Sequence, residues 1–143
     1  MLTLANLSCN AISTMGSGIT NHSFLECLIL SHNKITKIDN INNLKFLTVL
    51  DLSHNALTSI DGLDGLRIQE VILRNNNITE LSGLSQCACL VTLDVAENKI
   101  SSLAALAPCD QLNYLDVSHN EVTSIKELEH LSNLQWMRRL FLH

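Results

Sequence analysis

Aromatic side chains are scarce: three phenylalanines, one tyrosine and one tryptophan are 3% of the 143 residues. The interior therefore has to be filled by aliphatic side chains on a small, regular cross-section. Proline occurs once, and the five glycines are scattered without forming a phosphate-cradling loop. No apolar run approaches the eighteen or so residues of a membrane span, and the first residues lack the charged and apolar regions of a signal peptide. Bases number 9 against 14 acids, a net charge of −5, which disfavours nucleic-acid phosphate as a partner. The five cysteines, at 9, 27, 87, 89 and 109, form no clustered framework of the kind that caps extracellular repeat proteins, so a reduced, intracellular and cytoplasmic setting is expected.

Leucine, by contrast, recurs in a fixed rhythm. The stretch LTVLDLSHNALTSI (47–60) reappears as LECLILSHNKITKI (25–38), IQEVILRNNNITEL (68–81), LVTLDVAENKISSL (90–103) and LNYLDVSHNEVTSI (112–125), and in altered form as LTLANLSCNAISTM (2–15). Each copy carries one asparagine at the same place, Asn10, Asn33, Asn55, Asn76, Asn98 and Asn120, at separations of 21 to 23 residues. A period near 22 specifies a stacked solenoid, and 46% apolar content is enough for a continuous core.

The two halves of the unit read differently. Leu-x-x-Leu-x-Leu alternates at period two, a short strand, so six units predict a parallel sheet with strands about 4.8 Å apart. The second half runs at spacing three, as in Ile38, Ile41, Leu44 and Leu47, or Leu81, Leu84 and Cys87. Side chains at i and i+3 eclipse in a 3₁₀ helix, so tight helical turns are expected on the opposite face. Only the last unit, with Glu127 and Glu129 early and Arg138 and Arg139 late, reads as a true α-helix. Between the halves the backbone leaves the sheet while still buried and its polar groups need partners. An asparagine amide both donates and accepts, so the six asparagines form a structural ladder between neighbouring loops.

These six copies in register resemble the leucine-rich repeat family over essentially the whole chain. The 22-residue unit, with Ile or Leu two residues after the asparagine, is similar to the intracellular subclass that includes the leucine-rich regulatory subunit of protein phosphatase 1, axonemal dynein light chains and the spliceosomal A-prime protein. The resemblance implies an α/β leucine-rich repeat solenoid, curved and right-handed, with the parallel sheet concave and short 3₁₀ or α turns convex. It implies protein binding, with no reaction and no cofactor.

Outward positions of the concave strands fall into columns: Leu4, Cys27, Val49, Glu70, Thr92, Tyr114; Asn6, Ile29, Asp51, Ile72, Asp94, Asp116; Ser8, Ser31, Ser53, Arg74, Ala96, Ser118; and Cys9, His32, His54, Asn75, Glu97, His119. Five acids and one base, Arg74, stand among them. Such a face is expected to hold a basic or mixed-charge protein segment, centred on Asp51, Glu70, Ile72, Arg74, Asp94, Tyr114 and Asp116; the plainer reading is that the aspartates are repeat filler. Cys9, His32 and His54 share a column on successive rungs, a candidate zinc set if they converged, against the simpler account that Leu-Ser-His-Asn is frequent wording of the repeat. Cys87 and Cys109, one repeat apart, read as small core hydrophobes close enough to pair on oxidation.

Met137, Leu140 and Leu142 read as the start of a seventh strand whose asparagine would lie past residue 143. The chain is thus one domain of six repeats and part of a seventh, expected to be a fragment of a longer protein. Trp136 and Phe141 are expected to cover the last rung, with edge-to-edge association through uncapped ends as the alternative to a monomer. Serines sit at repeat positions and not beside a base, so no catalytic constellation is legible. Three functions remain: an intracellular scaffold or regulatory subunit, a spacer array without its own ligand, and an extracellular adhesion repeat resembling bacterial internalins.

Overall fold

The computed structural model describes residues 1–143. Seven strands of three residues each, β1 (Leu4–Asn6), β2 (Cys27–Ile29), β3 (Val49–Asp51), β4 (Glu70–Ile72), β5 (Thr92–Asp94), β6 (Tyr114–Asp116) and β7 (Arg139–Phe141), form one parallel sheet in sequence order. The central residue of each inner strand, Leu28, Leu50, Val71, Leu93 and Leu115, is fully buried, and its two neighbours point outward as the alternation requires. Register aligns Cys27, Val49, Glu70, Thr92 and Tyr114, and likewise Ile29, Asp51, Ile72, Asp94 and Asp116, so the columns predicted from sequence exist.

The strands are short because the backbone turns sharply four residues after the central position. Cys9, His32, His54, Asn75, Glu97 and His119 all have φ between 53° and 57°. This left-handed region costs an L-residue of ordinary type roughly 1–2 kcal/mol, and Asn, Asp and His enter it more readily than others. The histidine of Leu-Ser-His-Asn therefore has a conformational reason to be there.

The asparagine that follows binds the turn shut. Asn98 donates from Nδ2 to the carbonyls of Leu73, one rung back, and Val95, both at 3.0 Å, and its Oδ1 accepts from the Ile78 N–H at 2.9 Å. Asn33, Asn55, Asn76 and Asn120 repeat this arrangement toward Ile12, Ile35, Leu57 and Ile100. Asn10, with no earlier rung, bonds only to the Leu7 and Ser8 carbonyls of its own turn.

On the convex side the three-residue spacing gives 3₁₀ segments at Ser82–Leu84, Ala104–Leu106 and Ile125–Leu131, with isolated turns elsewhere. The α-helix expected in the last unit is absent: the segment of seven residues is 3₁₀, and Arg139 belongs to β7. Leu128, Leu131 and Leu134 line up at three residues per turn and would drift around a 3.6-residue turn. Glu127, read as a helix-dipole partner, accepts instead from Ser102 Oγ at 2.9 Å and the Leu103 N–H at 2.8 Å, fastening this segment to the preceding rung. Those two donors hold its carboxyl below the usual carboxylate range.

Between the faces, 33 buried apolar residues form one continuous core without a single aromatic ring. Rungs approach so closely on the convex side that a Cβ at Gly83 would collide with the Ile60 carbonyl oxygen. At the amino-terminal end, Leu2, Leu7, Ile12, Met15 and Ile19 line an open apolar cleft of about 310 Å³. Trp136 does not cover the last rung; the residue is 55% exposed, and Phe141 also remains accessible.

Asn98→Ala should lower stability by about 1–3 kcal/mol, since two carbonyls and one N–H lose their partner inside the protein. Asn10→Ala, which releases no neighbouring rung, should cost clearly less; urea titrations of both compare them directly. Gly83→Ala should cost about 1–3 kcal/mol because backbone must move to admit the methyl group, and an unchanged melting curve would mean that the rungs separate freely there.

Candidate functional site

The outward face of the sheet is built from half-buried side chains, in contrast to the buried residues behind it. Cys27, Ile29, Val49, Ile72, Thr92 and Tyr114 supply an apolar floor of intermediate exposure. The aspartates within it have two duties. Asp51 Oδ1 accepts from the Ser53 N–H at 2.9 Å and its hydroxyl at 2.7 Å. Asp116 does the same for Ser118, and Asp94 for the Ala96 N–H. One carboxylate oxygen thus closes the exit from the strand, an Asx-type turn, and Asn6 performs the same task in the first repeat. The second oxygen is what remains for recognition.

Arg74 takes that second oxygen from two of the three aspartates. Its Nε lies 3.0 Å from Asp94 Oδ2, its Nη2 2.7 Å from Asp116 Oδ2, and its Nη1 3.1 Å from Glu97 Oε1. One guanidinium spans three carboxylates on two further rungs, using its fork of donors as lysine could not. Burial pushes the Asp116 carboxyl up, but the Ser118 hydroxyl and amide together with Arg74 outweigh it, leaving the group below the ordinary carboxylate range. Asn75 and Arg74 likewise hold Glu97 low. Burial alone would lower Arg74; its carboxylate partners raise it instead.

The sequence-predicted residues therefore separate. Arg74, Asp94 and Asp116 are brought together, but as a satisfied network, and Asp116 is buried at 6% exposure, so it is the floor of the cluster and not a free contact. Tyr114 stands beside the network with its ring 5.6 Å from that of Phe141. Asp51, through its Oδ2, and Glu70 form no ion pair within the chain. They lie on the adjacent strands β3 and β4, near enough to Cys27 to add, after burial, to the upward shift of its thiol. What sequence reasoning missed is the reach of Arg74; the sequence hint was a single base in a column otherwise of small residues.

The zinc candidate does not assemble. The His32 and His54 rings stack face to face, 4.1 Å between centroids and 8° between planes, so their in-plane lone pairs run parallel and do not meet at one ion. No group of three or more His, Cys, Asp or Glu side chains gathers in a metal-binding arrangement. Cys87 and Cys109 are buried free thiols, each pushed up to about 11 by burial, so they remain protonated and unreactive at neutral pH.

With the asparagine ladder, the parallel sheet and the 3₁₀ turns in place, the family comparison decides the classification. Two copies of the leucine-rich repeat family model match, at residues 23–65 and 67–108, together more than half of the chain. The chain is a leucine-rich repeat protein. No curated protein matches it significantly over its sequence. Among solved structures, this leucine-rich repeat chain is similar to internalin C2 from Listeria monocytogenes, with 29% identity and a TM-score of 0.89 over 99% of the chain. An internalin, InlF, from the same organism gives 24% identity and 0.84 over 98%, and the functional domain of InlJ, which includes a cysteine ladder, gives 21% and 0.78 over 99%. The chain spans 61%, 40% and 30% of those three chains respectively. Repeats of this family serve generally as protein-binding modules, and no helix here is long and apolar enough to cross a membrane.

Arg74→Met should destabilise the chain at pH 7 by about 1–3 kcal/mol, the cost of leaving the inner carboxylate unpaired. A carboxyl with a lowered folded pKa contributes stability that is complete above its ordinary value and is lost as pH falls through the folded value. The gap between wild type and Arg74→Met should therefore narrow on acidification below about pH 4. Chemical denaturation at pH 7 and pH 3 measures it, and a gap that stays constant would show that Arg74 contributes packing and not charge.

Proposed function

We propose that this leucine-rich repeat chain is a binding module, not an enzyme, that holds a basic or mixed-charge protein segment against the concave face. The observation that carries the reading is the pair Asp51 and Glu70, carboxylates without an ion-pair partner on adjacent strands beside Ile29, Val49 and Ile72. A lysine or arginine of the partner completes the charge balance there, while its neighbours cover the apolar floor. The network of Arg74, Asp94, Glu97 and Asp116 keeps the adjoining wall rigid, so little conformational freedom is lost on binding.

We place this module inside the cell, as a scaffold or regulatory subunit of the kind the 22-residue subclass contains. Five unpaired cysteines, two of them buried, support that setting. A second reading, an extracellular adhesion repeat, is favoured by one observation: the similar solved structures named above are internalins.

Selection of a random peptide library on the wild-type chain, with an Asp51→Asn, Glu70→Lys variant as counter-target, tests the concave site. Asparagine at 51 keeps the turn-closing oxygen, so the fold should persist. Peptides bearing Lys or Arg beside an apolar residue should be enriched, and should bind the variant about tenfold or more weakly. Enrichment of acidic peptides, or equal binding by the variant, would remove the concave acids from the mechanism.

A further inference from the structure

Three of the five aromatic residues stand in one column on the lateral edge of the solenoid, where the chain returns from the convex turns to the sheet. Register aligns Phe24, Phe46, Arg67, Cys89, Gln111 and Trp136, each three residues ahead of its strand. Phe24, Phe46 and Trp136 are 51%, 56% and 55% exposed, and the two phenylalanine rings stack with centroids 5.7 Å apart and planes 16° apart. The narrow aliphatic core explains why aromatic rings are outside it. It does not explain why three share a column, since scattered exposed rings would serve folding equally well. The stacked Phe24–Phe46 pair is an exposed apolar patch, and such a patch rimmed by charge marks an interaction site.

The rim is basic at Phe46 and on the next rung. Lys45 adjoins Phe46 in sequence and Arg67 adjoins it on the next rung; both are exposed and neither forms an ion pair. Carboxylates flank the column at Glu26, by Phe24, and at Asp110, beside Gln111, so the cations are concentrated at Phe46 and Arg67. Two free cations beside an aromatic pair, on a chain of net charge −5, are complementary to an acidic partner.

We propose that this edge is a second interaction surface, which takes an extended acidic protein segment: an apolar side chain on the Phe24–Phe46 pair, a carboxylate at Arg67, and a second apolar side chain at Trp136. Rungs about 4.8 Å apart put Trp136 about 14 Å from Arg67, which an extended chain covers in about four residues. The segment is then of about seven residues, apolar-x-acidic-x-x-x-apolar. Its charge is opposite to that expected at the concave face, so the surface is independent of the concave reading and the two can be tested apart.

The test uses the full ¹⁵N-labelled chain and two synthetic peptides, Phe-Ser-Glu-Ser-Ser-Ser-Leu and its counterpart with Lys in place of Glu. The acidic peptide should shift amides at 23–26, 45–48 and 67–69, about tenfold more tightly than the lysine peptide. Phe24→Ser with Phe46→Ser should abolish these shifts while melting like wild type, the rings being exposed. Arg67→Glu, which keeps both rings, should reverse the preference between peptides, and Glu70→Lys on the concave face should leave it unchanged. Absence of shifts, equal binding of both peptides, or shifts confined to 49–51 and 70–72 would overturn the proposal. So would a concentration-dependent dimer that the double variant dissolves, because the edge would then belong to a second copy of the chain.

Discussion

A side-chain amide that closes its own turn and grips the rung before it is the contact on which the rest of the structure depends. Each strand contributes only three residues to the sheet, and each convex turn only one or a few hydrogen bonds. Neither could persist alone. The asparagine column joins them, because the same Nδ2 that caps the Leu73 and Val95 carbonyls also fixes the distance between their rungs. The aliphatic core then packs at that spacing, and the absence of aromatic rings inside follows from how little room each rung encloses.

The same repetition shapes the concave face. Aspartates recur there because the exit from the strand needs an acceptor for the amide two residues on, and recognition inherits whatever oxygen is left. At Asp94 and Asp116 the remaining oxygen is consumed by Arg74, whereas at Asp51 it is not. An acidic column in a repeat protein is therefore not uniformly available: its capacity for a partner depends on where a single long cation interrupts it. The left-handed turn residues carry a similar lesson, since His32 and His54 stack as a by-product of sharing one backbone conformation on successive rungs.

Much of this was legible beforehand. The period of leucines and asparagines specified the rung length, the strand positions and the register, because a one-residue slip would turn every leucine outward. Spacing three announced the 3₁₀ turns, and it should have overridden the charge pattern of residues 127–139 that suggested an α-helix. The zinc set failed because sharing a column places side chains beside one another without making their lone pairs converge. The stacked Phe24 and Phe46 were present in the sequence but carried no periodic signal, since only two consecutive repeats have an aromatic ring there.

The amino-acid sequence by itself thus determined the solenoid, its core and its asparagine ladder, all of which depend on interactions repeated every 22 residues or so and hence visible as period. Only the tertiary structure decided which polar groups are free. Arg74 reaches Asp116 across 42 residues of sequence, and its fork is directed by the surrounding rungs; a pairing made once, between distant positions, leaves no rhythm in the chain that encodes it.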